Sequence, residues 1–179
     1  MNRRATAALG AAFISLAVAS CRGDRARPRA PEIGGPAPDY ATTSIAGERV
    51  RLADQRGKVV LLNIWATWCR PCRQEIPALQ ALYDRRRAEG LEVIGVSVDA
   101  RGEEEKIRDF ATQYGMSYPV WLDPDERVAT TFLAIGVPAT YLIARDGTLL
   151  WKHLGPVRTN DGVLEALIVD ALRAGARGS

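Results

Sequence analysis

Histidine occurs once in 179 residues and cysteine three times. Three cysteines are too few to staple a small fold with disulfides. With a single histidine they are also poor material for a closed zinc site, which takes four N or S ligands. Lysine is scarce too, three against 21 arginines, which reads as codon bias rather than function. An excess of one charge is missing as well. The formal net charge is +3, but residues 36–179 hold 18 basic and 19 acidic groups, a net of −1. That balance excludes a strongly basic nucleic-acid binder. There is no long polar tract, and hydrophobic residues make up 47% of the chain, which excludes wholesale disorder. The uncharged, mostly apolar stretch 5–19 falls short of the ~20 residues that a spanning helix needs. The length suits one domain with a short appendage.

Residues 1–21 have the layout of an export signal. Arg3 and Arg4 precede the apolar stretch, which ends in Val18, Ala19, Ser20 and Cys21. This ending resembles the lipobox of bacterial lipoproteins, in which the cysteine is lipidated and becomes the first residue of the mature chain. The expectation is a lipid anchor on Cys21 and an outward-facing place in a bacterial cell envelope. The alternative is an ordinary cleaved signal. Residues 22–38, with four prolines, three glycines and four arginines, read as a flexible tether. A folded domain is expected over 39–175.

Within that domain, residues 40–44 and 48–52 flank Ala46 and Gly47 as a short hairpin. Residues 58–66, KVVLLNIWA, form a nearly continuous apolar run, as in a strand buried on both faces. Helical spacing of Ile76, Leu79, Leu82 and Tyr83 predicts a helix over 72–87. Strand 91–98, helix 103–114, strand 120–122 and helix 126–134 follow. Asp146 and Gly147 predict a hairpin between 139–144 and 148–154. A closing helix over 160–173 would turn Val163, Leu164, Leu167, Ile168 and Leu172 inward. The class is α/β, a central mixed sheet flanked by helices.

The chemistry sits in WCRPC, from Trp68 to Cys72, where a buried strand gives way to a helix. At a helix N-terminus, free backbone N–H groups and the positive dipole end favour a thiolate on Cys69. Cys72 follows one turn later, within disulfide reach. Pro71 suits the first turn because it has no N–H to waste. Arg70 adds positive charge beside Cys69. A Cys69 thiolate that attacks a disulfide would be resolved by Cys72. The competing reading, half of a zinc site, lacks two further ligands beyond His153 and scattered carboxylates.

The stretch 58–77, KVVLLNIWATWCRPCRQEIP, is similar to the thioredoxin superfamily, and to its TlpA/ResA/CcmG branch of membrane-tethered thiol–disulfide oxidoreductases. The strand IGVSVD and the run from Gly136 through Val137 and Pro138 to Thr140 carry the likeness further. The resemblance implies a thioredoxin-like fold with an N-terminal β-hairpin. It implies a redox-active Cys69–Cys72 disulfide with no other cofactor and no metal. Pro138 becomes a cis-proline that turns the Val137 backbone toward the disulfide and an incoming peptide. Trp68, Arg70, Pro71 and Val137 become the client-facing surface. Pro77 resembles the family's helix-kinking proline. Trp65 is read as core, His153 as packing or surface, and Asp99 as a cap.

Glu75 lies three residues after Cys72, on the same helix face. The branch has a glutamate at this spacing, and a semi-buried carboxylate there takes a proton from Cys72. Cytosolic thioredoxins carry an aspartate six residues before the first cysteine. Here that place is Asn63, which does not titrate. The resemblance implies a monomeric reductase of protein disulfides, with clients such as apocytochrome c or copper-site proteins. A transmembrane electron donor of the DsbD/CcdA kind would recharge it. A disulfide oxidase or isomerase is the alternative. A peroxiredoxin would want threonine three residues before Cys69, where Ala66 stands. A copper chaperone would want three residues between its cysteines.

Overall fold

The computed structural model of the protein describes residues 31–176. The expected signal, its lipobox cysteine Cys21 and most of the tether lie outside the described residues. The elements follow the order expected from the sequence. Strands β1 (Ala41–Ser44) and β2 (Arg49–Arg51) form a hairpin. β3 (Val59–Trp65), α1 (Arg70–Arg86), β4 (Leu91–Ser97), α2 (Glu104–Gln113) and β5 (Val120–Leu122) come next. α3 (Arg127–Phe132), β6 (Ala139–Ile143), β7 (Leu149–Leu154) and α4 (Gly162–Ala176) complete the domain.

All seven strands join one mixed sheet in the order β2-β1-β5-β4-β3-β6-β7. β3 lies inside it, parallel to β4 and antiparallel to β6, and all seven of its residues are buried. That is why its sequence shows no polar alternation. Full burial of a side chain such as Leu61 or Leu62 contributes about 1.5–3 kcal/mol, so the strand that delivers the active site is also the best anchored. α1 joins the parallel neighbours β3 and β4, and α2 joins the parallel neighbours β4 and β5. Leu79 and Leu82 of α1 pack with Leu164 and Ile168 of α4 over Val59 and Leu61. On the other side Tyr40, Trp121, Phe132 and Tyr141 form an aromatic cluster that seats the hairpin and α3.

Three expectations need correction. Residues 31–38 are not free tether: Gly34 N–H bonds Leu149 O, Leu149 N–H bonds Gly35 O and Ala37 N–H bonds Gly147 O. Proline and glycine content there reports an extended edge partner, whose backbone bonds the composition does not reveal. The first helix begins at Arg70, two residues before the apolar periodicity, because Cys69 caps it. Val163 is 66% exposed; Asp161 Oδ1 accepts the Val163 and Leu164 N–H groups, and this start turns Val163 outward.

Candidate active site

β3 ends at Trp65 and α1 begins at Arg70, so four residues carry the chain from sheet to helix. Cys69 is the N-cap residue, and its Sγ accepts the Cys72 N–H at 3.2 Å. This is one of the N–H groups that the first helical turn leaves unpaired, here aimed at sulfur. Cys69 and Cys72 are joined as a disulfide, with Cα atoms 5.3 Å apart. Cys69 is 4% exposed and Cys72 0%. Only the first cysteine offers an edge to an incoming sulfur.

The loop before Cys69 is braced from two sides. Asp99, buried just past β4, accepts the Thr67 N–H at 2.9 Å, the Thr67 hydroxyl at 2.5 Å and the Ser97 hydroxyl at 2.7 Å. The cap expected of Asp99 therefore belongs to the cysteine loop, not to α2. From the helix, Arg73 donates through Nε and Nη2 to Thr67 O. Thr67 and Arg73 were missed in the sequence because nothing in their spacing marks them. Arg70, Pro71 and Trp68 face solvent. Trp68 is 58% exposed, whereas Trp65 is core and stacks on Phe110.

Pairing of Ile64 with Ala139 brings the start of β6 to the cysteine end of the sheet. The Val137–Pro138 bond there is cis, and Pro138 O accepts the Gly155 N–H. Among the described residues none hydrogen-bonds the Val137 backbone. Ile135, in the same loop, is 90% exposed. His153 pairs with Thr140 on the edge strand and stacks on Trp151, a packing role. Pro77 lies within α1.

Glu75 is fully buried one turn below Cys72. Its Oε1 accepts from Asn63 Nδ2 at 2.8 Å and its Oε2 from the Val157 N–H at 2.8 Å. Burial raises its pKa to about 7, and the bonds from Val157 and Asn63 only partly offset that rise. Asn63 also donates to Thr140 Oγ1 at 3.0 Å. The one polar residue in an otherwise apolar strand was the signal that Asn63 has work to do. Val157 carried none, because its contribution is a backbone group.

A thioredoxin-like sheet that opens its helix on a capped, nearly buried cysteine pair, with a buried carboxyl beneath, defines a thiol–disulfide oxidoreductase. The match to the AhpC/TSA family spans residues 33–152, and the chain belongs to this family, on the ResA/CcmG-like side of the thioredoxin superfamily. The thiol-disulfide oxidoreductase ResA of Bacillus anthracis is 34% identical over 124 residues, 69% of this chain and 70% of that protein. The thioredoxin-like protein YneN of Bacillus subtilis is 37% identical over 123 residues, 68% of this chain and 71% of that one. Among solved structures, a thiol:disulfide interchange protein DsbE from Chlorobium tepidum superposes with a TM-score of 0.72 at 33% identity, covering 79% of this chain and 98% of its own.

Proposed function

We propose that the chain reduces protein disulfides in a bacterial cell envelope, held to a membrane by a lipid on Cys21. The observation that carries the dithiol chemistry is Glu75, a buried carboxyl with a pKa raised to about 7, placed one turn below the resolving cysteine and able to exchange its proton. In the reduced protein Cys69 is the thiolate and Cys72 the thiol. Cys69 attacks a client disulfide, forms the mixed disulfide and expels the client's other sulfur as a thiolate, which takes a proton from water. Glu75 then accepts the Cys72 proton. The Cys72 thiolate attacks Cys69 Sγ, restores the Cys69–Cys72 disulfide and releases the client's second sulfur. Two electrons pass to the client, and a membrane dithiol donor of the DsbD/CcdA kind returns them.

The exposed Trp68, Arg70 and Pro71 and the uncommitted Val137 backbone form the client-facing surface. Pro138 holds that backbone beside the cysteines. Clients with paired cysteines, such as apocytochrome c or copper-site proteins, suit a dithiol that donates both electrons at once. The protein acts as a monomer.

Two measurements test this reading. Equilibration with glutathione should place the potential on the order of −250 mV or lower; a value near −120 mV is that of a disulfide oxidase and would reverse the direction. Stopped-flow reduction of a disulfide peptide across pH 5–9 should show a transition near Glu75's pKa in the parent. Glu75→Gln should lose that transition and slow resolution on the order of tenfold, the effect of one pK unit of coupling. Superimposable profiles would mean that Glu75 takes no part.

A further inference from the structure

Asn63, Glu75 and Thr140 are all fully buried. Asn63 Nδ2 donates to both neighbours, and Asn63 Oδ1 accepts nothing among the described residues. Glu75 Oε2 takes the Val157 N–H. Both Glu75 oxygens thus face N–H donors, the arrangement of an ionised carboxylate. A protonated Glu75 presents an O–H, which no N–H can receive. The Val157 backbone cannot change role. The Asn63 amide can, by a half-turn of its terminal torsion, which is broad and two-fold.

After that half-turn Oδ1 faces both neighbours. It accepts the Glu75 O–H, and it accepts the Thr140 hydroxyl, which rotates from acceptor to donor. Each orientation makes two hydrogen bonds and leaves one amide atom without a partner. The number of bonds to the two neighbours is the same in both orientations, and the proton on Glu75 decides which one matches donor to acceptor. We propose that Asn63 is a positioning residue for the resolving step: its amide turns Nδ2 toward the ionised Glu75 and Oδ1 toward the protonated one. This rests on the reading of Glu75 as the acceptor of the Cys72 proton. It lets the buried carboxyl stay hydrogen-bonded to Asn63 before and after the transfer.

The groups around the pair do not supply an alternative acceptor. Cys72 shares the helix and is the proton donor. Tyr118, ahead of β5, is held neutral by burial and by the Glu75 charge. His153 pairs with Thr140 from β7 but stacks on Trp151. α4 offers apolar Leu164 and Ile168.

The test is side-chain amide NMR of the full oxidised chain from pH 5 to 9, with the Glu75 carboxyl carbon followed in parallel. Both Asn63 amide protons should move through one transition with the Glu75 midpoint. In Glu75→Gln the introduced amide donates where the carboxylate accepted, so the Asn63 signals should stay at their acid-limit positions at every pH. Asn63→Leu keeps the volume and removes the donor. It should raise the Glu75 midpoint, and the rise in reduction rate with pH, by about one unit. If this variant does not fold, the parent titration still decides. Asn63 signals that stay fixed while Glu75 titrates would overturn the switch and leave the role of Glu75 standing. A rate profile without the Glu75 transition would overturn that role and the switch together.

Discussion

Val157 donates its backbone N–H to Glu75 Oε2 across 2.8 Å, fastening the loop after β7 to the helix that carries both cysteines. Two donors reach this carboxyl, yet burial still outweighs them and holds its pKa near 7. The hydrogen bonds thus moderate a buried acid without making it an ordinary carboxylate.

That balance makes stability depend on pH. The Glu75 pKa is raised from 4.5 to about 7 in the folded protein, so the folded state binds this proton more tightly than the unfolded chain does. The resulting stability is fully present below about pH 4.5 and is lost as pH rises through about 7. Across the whole window it amounts to about 3 kcal/mol. Urea denaturation of the oxidised protein between pH 5 and 8.5 should show this fall, and Glu75→Gln should flatten it. Parallel curves for the two proteins would contradict the burial argument.

Asp99→Ala removes the acceptor from a buried Thr67 N–H and hydroxyl together. The expected cost is about 1–3 kcal/mol for stranding a buried donor. Asp99→Asn keeps an acceptor and should cost less. Because Thr67 lies two residues before Cys69, alkylation of reduced Cys69 should also change in rate. An Asp99→Ala protein with parent stability and reactivity would show that the brace is dispensable.

A side chain at Gly95 has nowhere to go. Its Cβ would stand 2.8 Å from Trp65 Nε1 and 3.2 Å from Tyr118 Cε2, on two rigid rings. Gly95→Ala should cost about 1–3 kcal/mol through overpacking, read as a lower Tm at constant pH.

Trp68→Ala and Ile135→Ser change exposed apolar groups at the cysteine end of the sheet. Stability should stay within about 0.5 kcal/mol of the parent. Reduction of a protein client should slow, whereas a small soluble disulfide should react as before. Equal slowing of both substrates would assign these side chains to the chemistry and not to docking.

The sheet, the helices and the cysteine pair were legible because each leaves a local mark. The unbroken apolar run of β3 announces burial on both faces, and the spacing of Cys69, Cys72 and Glu75 places three groups along one helix. What could not be read acts across the fold. Asp99 meets Thr67 over 32 positions and Val157 meets Glu75 over 82, and neither contact has a periodicity. Asn63 was visible as a polar residue in an apolar strand, but its inability to titrate hid its use as a donor. Residues 31–38 were misread because their composition suits a linker, while their backbone pairs with β7.

That pairing also determines where another chain can add itself. The first part of the β7 border is occupied by residues 34–37, and exposed Lys152 stands farther along it. The opposite border is β2, only three residues long, with arginines exposed at positions 49 and 51. Short, charged or covered borders discourage intermolecular strand addition. The Val137 backbone, at the cysteine end of the sheet, by contrast stands without a hydrogen-bond partner among the described residues.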